Sequence, residues 1–444
     1  MKPPDLRLRN PSPGMLTLPW DQPLAEWDAT FVPLRDIPVG TSRHLVKFVE
    51  TDGVLWALKE LPQRIAAKEY AVLRELELRG LPAVKAAGLV IQPQPDTAIL
   101  ITRYLEGSWQ YRRLFMRLPP DQPAQRQRLL DAMVSLIVDL HRSGVFWGDC
   151  SLGNTLFSRD GQVLQAWLVD AETSEIHPEL SDGQRTHDLD ILVENVAGGM
   201  IDLAVRLERP PEIFEALVDE ANAIADRYNE LWSVLHAEPV FSYADRYQVE
   251  SQIRRLHDLG FAVDEVTLQP TGTGEETLRL KVLVADRRYH ATQLHALTGL
   301  DVGEGQAQIL LSDFRAYQAK SEQELKVPVS DARAAEKWLN EVVRPGMRRA
   351  HEALGGKGNP IQAYCDLLEV RWLLSEQAGR DIGDEEALAA LRDRAVPVTS
   401  AAKLAIAEES TGMIATMTPE LMEKMRNQSG KPTPTDEGAP RPLP

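Results

Sequence analysis

The chain has 444 residues, 43% of them hydrophobic and 26% charged, which is length enough for two or three domains with real cores. Lys and Arg total 49 against 66 Asp and Glu, a formal charge of −17, and this argues against nucleic acid as a partner because duplex binders carry a basic footprint. No run approaches the roughly 18 apolar residues of a membrane span. The first residues lack the apolar stretch of a secretory signal, and only two cysteines, Cys150 and Cys365, exclude a disulfide framework, so a cytoplasmic protein is expected.

In chain order, residues 1–30 are rich in Pro and Trp and read as an irregular lead-in. Two β-rich runs, His44 to Glu50 and Val54 to Leu61, flank an Asp52-Gly53 turn and predict a hairpin. Helical spacing of Ile65, Val72, Leu73 and Leu76 predicts a helix that Gly80 closes. The apolar run Ala98 to Gly107 predicts a buried strand opening into a linker. A strong amphipathic helix follows from Gln125 to Ser143, and then a hairpin turns at Asp160-Gly161. Helices dominate from Asp188 to about Leu235.

A second unit is expected from about Tyr243. A helix over Arg246 to Leu259 precedes two strands, the second marked by the alternation of Leu278, Leu280, Val282 and Val284. Helices return through Arg394, and the Pro-rich residues 429–444 should be disordered.

The segment Val145 to Phe157 carries the chemistry. Asp149 lies five residues before Asn154 on a loop between a helix end and a hairpin, and Asp170 follows the second hairpin strand. Phosphoryl transfer can use this set. A loop carboxylate can orient an acceptor hydroxyl and take its proton, while an amide oxygen and a second carboxylate suit magnesium. Upstream, Lys59 sits on a predicted strand, and Glu69 lies on the next helix with Glu75 as a rival. Gly40, with Thr41 and Ser42 beside it, offers a turn over phosphates.

With these parts in order, residues 31 to about 205 resemble the protein-kinase-like superfamily. The nearest patterns are the lipopolysaccharide (Kdo/WaaP-type) kinases and the aminoglycoside phosphotransferases, whose G-D-x4-N loop Gly148-Asp149 matches. The whole chain resembles an actinobacterial family that adds a C-terminal domain of unknown function. The resemblance implies an α+β, bilobal protein-kinase-like fold with a β-rich N-lobe over 31–106 and a helical C-lobe over 107–240. A smaller α+β C-terminal domain over 243–400 follows.

The same resemblance implies ATP in the cleft, Asp149 as base, Asn154 and Asp170 on Mg, Lys59 on the α/β-phosphates, Glu69 pairing Lys59, and adenine held near Arg103, Tyr104 and Leu105. Trp147 stands where the family has His, Ser151 where it has Lys or His, and Asp170-Ala171-Glu172 replaces D-F-G. Glu172 then offers a third carboxylate on the metal side. Asp188 or Asp190 is placed to brace the catalytic loop.

Plainer readings stand beside these. Lys59 can be a solvated strand lysine, Glu69 half of a surface pair, and Asp149 and Asn154 ordinary turn residues. Cys150 reads as a small buried residue, His290 and His295 do not make a zinc site, and Gly299 to Ala307 reads as a loop and helix start rather than a nucleotide loop. Arg287-Arg288 reads as a solvated face. The expectation is an ATP/Mg-dependent phosphotransferase acting on a hydroxyl acceptor: a sugar, a lipopolysaccharide-like glycolipid, a small molecule or a protein. The alternative is a pseudokinase, a nucleotide-binding regulatory or scaffold module. A protein partner would engage the C-terminal domain.

Overall fold

The computed structural model describes residues 3–403, apart from 38–42, 112–113, 115–122, 243–246, 271–276, 285–286, 357 and 398. The Pro-rich tail therefore lies outside the described residues.

The N-terminal part is a six-stranded antiparallel sheet in the order β1-β5-β6-β4-β3-β2. Its strands are β1 (Asp5–Leu8), β2 (Leu34–Arg35), β3 (Val46–Thr51), β4 (Val54–Leu61), β5 (Ala86–Ile91) and β6 (Ala98–Arg103). The hairpin β3–β4 turns at Asp52, with φ 51°, and Gly53, with φ 74°, which is the left-handed pair that an Asp-Gly turn supplies.

Period-two alternation gives each face its own partner. Leu58, Val90, Ile99 and Ile101 face the N-terminal segment and bury Met15, Trp20, Leu24 and Trp27. Leu61, Leu89, Ala98 and Leu100 face helix α2 (Gln63–Leu78), which follows a one-turn helix α1 (Pro13–Leu16) in chain order. The segment expected to be an irregular lead-in thus supplies an edge strand and a core. Strand β1 was missed because four residues with mostly exposed side chains carry no alternation to detect.

The second part is helical. It contains α3 (Pro123–Arg142), α4 (Asp182–Arg206) and α5 (Phe214–Leu235). Between α3 and α4 lie the two-residue strands β8 (Val145–Phe146) and β11 (Glu175–Ile176), and the hairpin β9 (Thr155–Asp160) and β10 (Val163–Leu168). Strand β7 (Trp109–Gln110) pairs with β9. Leu136, Ile137 and Leu140 of α3 share one core with Phe157, Ala166 and Leu168 of the hairpin and with Leu73 and Leu76 of α2.

The hydrophobic clusters divide the chain later than the composition shift near Tyr243. Helix α6 (Tyr247–Asp258) and the sheet of β12 (Val240–Ser242), β14 (Thr277–Val284) and β13 (Val263–Pro270) lie against the C-lobe. There Leu256 and Phe261 join its core, and the Arg142 guanidinium stacks over Phe261 at 5.0 Å. A separate core begins with α7 (Tyr289–Thr298). It continues through α8 (Glu304–Leu325), α9 (Asp331–Trp338), α10 (Arg344–Ala353), α11 (Pro360–Ala378) and α12 (Gly383–Arg392). Among the described residues no helix is long and apolar enough to cross a membrane.

Trp27 is 3% exposed and meets Trp20 edge-on at 5.3 Å, whereas Phe31, four residues on, is 90% exposed. Trp27→Ala should cost about 3–5 kcal/mol and Phe31→Ala close to nothing, read as shifts of the urea unfolding midpoint.

Candidate functional site

Lys59 owes its direction to the pleat of β4. Leu58 and Glu60 point to the N-terminal segment, where Glu60 accepts from the Leu24 amide at 2.9 Å. Lys59 and Leu61 therefore point the other way, toward α2. On α2 the buried stripe is Ala66, Glu69, Val72, Leu73 and Leu76, so Glu69 is a carboxylate on the apolar phase of its helix. Glu75 lies off that stripe and makes a surface pair with Arg79 at 2.8 Å. The helical phase alone separates the two glutamates.

Lys59 Nζ donates to Glu69 Oε2 at 3.1 Å and to Asp170 Oδ2 at 2.7 Å, which joins strand, helix and hairpin through one ammonium group. Burial pushes the Lys59 ammonium down, but Glu69 and Asp170 more than offset it and hold its pKa above the ordinary lysine value. Glu69 is 1% exposed, and its carboxyl is pushed up to about 7, first by burial and then by the Asp170 charge, against the pull of Lys59.

Asp170 is fixed from several sides. The Leu168 amide donates to Pro82 O at 2.9 Å and the Leu168 carbonyl accepts from Val84 N at 3.0 Å, so the chain after α2 grips the end of β10. Trp147, fully buried, donates its indole N–H to the Asp170 carbonyl at 3.3 Å. The Glu172 amide donates to Asp170 Oδ1 at 3.1 Å.

Glu172 itself comes close. Its buried Oε2 lies 3.8 Å from Lys59 Nζ and 3.2 Å from His44 Nε2, without an aligned hydrogen bond to either. Glu69, Asp170 and Glu172 are the group of metal-ligating side chains that converge among the described residues, each offering an oxygen within 4.8 Å of the others.

The loop with Asp149 is set by one buried aspartate. Asp188 on α4 accepts from the amides of Trp147 at 2.7 Å and Gly148 at 2.8 Å and from the Cys150 thiol at 3.1 Å. Burial pushes its carboxyl up, but these bonds and His141 hold it below the ordinary range. Asp190 is exposed, so Asp188 is the brace. His141 Nε2 lies 3.1 Å from Asp188, and its Nδ1 lies 2.8 Å from the Tyr228 hydroxyl. Burial lowers the His141 pKa, so the neutral ring relays the brace to α5.

Gly148 adopts φ 79°, the left-handed region, which is why a glycine precedes Asp149. Burial pushes the Cys150 thiol well up, as befits a packed residue. Asn154 Nδ2 donates to both the carbonyl and Oδ2 of Asp149, at 3.1 and 3.0 Å, and its Oδ1 is the acceptor end of the same amide.

Gly40, Thr41 and Ser42 lie outside the described residues. Arg103, Tyr104 and Leu105 leave the sheet together. The Arg103 amide bonds Lys85 O at 2.9 Å, the Tyr104 amide bonds Leu55 O at 3.0 Å, and Leu105 O accepts from Ser108 at 2.7 Å. His290 pairs with Glu304 at 2.7 Å, while His295 turns to Leu300 O. Arg287 donates to Leu259 O and lies over the Phe261 ring at 5.8 Å, so it packs rather than standing in solvent. Sequence reasoning missed His44 and the His141–Tyr228 relay. The available signal for the relay was a histidine one residue after Leu140 on the apolar face of α3.

Residues 50–206 match the family model described as "Lipopolysaccharide kinase (Kdo/WaaP) family". Residues 230–396 match "Domain of unknown function (DUF4032)". No curated protein matches the chain. Among solved structures, "WaaP in complex with acyl carrier protein" aligns at 18% identity over 51% of this chain and 99% of that one, with a TM-score of 0.32. The family match supports a kinase-type phosphotransferase.

Two expectations follow from the site. The folded-state pKa of Glu69 lies above its ordinary value, so its contribution to stability is full at low pH and is lost as pH rises through about 7, while the ion pair with Lys59 forms over that same rise. Between about pH 5 and 7 the wild type should lose more stability with rising pH than Glu69→Gln, which cannot titrate; parallel thermal melts check this. Asp188→Asn places an amide group against two backbone donors and a thiol. It should cost about 3 kcal/mol in chemical denaturation.

Proposed function

We propose that residues 50–206, which match the lipopolysaccharide kinase (Kdo/WaaP) family model, form an ATP- and magnesium-dependent phosphotransferase that moves the γ-phosphate to a hydroxyl acceptor. The observation that carries this reading is the single ammonium of Lys59 shared between Glu69 and Asp170, with Asp149 held on its loop by Asn154.

Each residue then has a task. Glu69 aims Lys59 at the α/β-phosphates, where its charge offsets theirs. With ATP bound, Arg103, Tyr104 and Leu105 would lie against adenine, and Gly40, Thr41 and Ser42 are assigned to the phosphates. Asp149 accepts a hydrogen bond from the acceptor hydroxyl and takes its proton as that oxygen bonds to the γ-phosphorus. The bond from the γ-phosphorus to the β–γ bridging oxygen breaks, and ADP leaves with that oxygen.

The donor set fits magnesium, a hard cation that prefers oxygen. Asn154 presents Oδ1 because its Nδ2 is spent on Asp149, Asp170 presents a carboxylate, and the buried Glu172 Oε2 lacks a hydrogen-bond partner. Magnesium, when bound, would neutralise charge on the phosphate oxygens. The acceptor class is a sugar, a lipopolysaccharide-like glycolipid, a small molecule or a protein hydroxyl. ATP supply places the reaction in the cytoplasm, and the C-terminal domain is the surface for a protein partner.

Asp149→Asn should lower ATP turnover roughly 10²–10⁴-fold with nucleotide binding retained. Asp170→Ala should abolish the magnesium-dependent part of the thermal shift that ATP produces, a stabilisation of about 2.7 kcal/mol when ATP stands at 100 times its Kd. Equal turnover in wild type and Asp149→Asn removes the base role. ATP stabilisation that ignores magnesium, with no phosphate released, assigns the domain to nucleotide-binding scaffolding instead.

A further inference from the structure

The β9–β10 hairpin has two ends with different neighbours. At its open end Asn154 lies beside Val169, the residue before Asp170, because the Val169 amide donates to Asn154 O at 3.1 Å and Thr155 pairs with Leu168. At its closed end the turn is driven into the C-terminal helices. Asp160 accepts from the amides of Gly305 and Gln306, both at 2.9 Å, and so caps α8, whose own N-cap Gly303 has no side chain to do it. Gln362 on α11 brackets Gly161, accepting from its amide at 2.9 Å and donating to its carbonyl at 3.0 Å. The Arg159 guanidinium forks onto both oxygens of Asp366, one bond at 2.8 Å, with side chains only 5% and 3% exposed.

Gly303 and Gly305 of the Gly299 to Ala307 segment find their reason here. A Cβ on Gly303 would sit 2.1 Å from Asp160 Oδ1, and one on Gly305 would sit 2.2 Å from the Asp160 carbonyl. The run that resembled a nucleotide loop is a backbone surface shaped to receive a hairpin turn.

Burying two charges at an interface recovers little stability over apolar residues of the same size, whereas it fixes relative geometry through a bidentate fork. The hairpin can carry that geometry onward. Its six pairs run in unbroken register over about 20 Å. Phe157, Ala166 and Leu168 are fully buried under α3, and Trp167 donates across the strands to Ser158 at 2.8 Å.

We propose that Arg159 and Asp366 are positioning residues: by locking the hairpin turn to the C-terminal helices, they set where Asn154 and Asp170 stand relative to Lys59. The proposal rests on the reading of Asn154 and Asp170 as the magnesium-side pair, and it makes the C-terminal domain a fixed part of the transferase rather than an appended module.

The test uses the full chain. In Asp366→Asn the magnesium concentration for half-maximal turnover should rise about tenfold, a size that side chains remote from a site exert. The double variant Arg159→Met/Asp366→Leu, which keeps the interface packed but removes the fork, should regain most of the lost Tm while its magnesium requirement stays raised. A lowered Tm in Asp366→Asn with unchanged magnesium dependence shows a merely structural pair and overturns the proposal. If Asp366→Asn does not fold, Gln362→Met makes a milder cut in the same network and is read in the same way.

Amide hydrogen exchange separates this from the kinase reading, since it needs no turnover. In the variant, exchange should quicken both at the turn, Asp160–Gly161, and at Val169–Asp170. Quickening confined to the turn overturns the proposal. A wild type that transfers no phosphate, with both ends quickening together, removes the kinase reading and leaves the coupling standing.

Discussion

An ammonium group drawn mostly out of water needs partners, and Lys59, with a side chain 15% exposed, is where three elements of this protein are obliged to meet. The pleat of β4 sends it inward, the apolar phase of α2 brings Glu69 to it, and the end of the β9–β10 hairpin brings Asp170. Two carboxylates against one ammonium leave an excess of negative charge in a site with little water. Burial first and then the Asp170 charge push the Glu69 carboxyl up to about 7, and the two carboxylates hold the Lys59 pKa above the ordinary lysine value. A site poised in this way has a use for further positive charge, which is the electrostatic side of the magnesium reading.

The same economy of buried charge recurs at two other points. Asp188 gathers two amides, a thiol and an imidazole and so fixes the loop that carries Asp149. Asp366 gathers Arg159 and Gln362 and so fixes the far end of the hairpin. Lys59, Asp188 and Asp366 each tie together elements distant in sequence. A buried charge pairs only where geometry is met, so each one specifies an arrangement more than it adds stability. Trp147 belongs with them. Its indole both fills the core and holds the Asp170 carbonyl, so the segment before Asp149 stays in contact with the end of the hairpin.

Long periodic elements were legible along the chain. Helices α2 and α3, the β3–β4 and β9–β10 hairpins and strand β14 all follow from spacing and turn residues, because each carries its own apolar pattern, while α4 and α5 were read only as one helical stretch from Asp188 to about Leu235. Strands β1, β7, β8 and β11 were not legible. They are two to four residues long, and their pairing partners are far away in the chain. The Pro- and Trp-rich opening looked irregular for a related reason: Trp20 and Trp27 find their burial against the sheet, not within their own segment.

By itself, the sequence determined the chemistry on offer and its order: an amine on a strand, a glutamate on the following helix, an aspartate and asparagine on a loop, and an aspartate after a hairpin. Those are local facts, written in residue type and spacing. Which of Asp188 and Asp190 braces the loop, and what the glycines of 303 and 305 are for, were decided by tertiary structure. Each depends on the direction of a side chain or the approach of a backbone from a distant part of the chain. Local pattern does not encode such approaches; the packing of whole elements sets them.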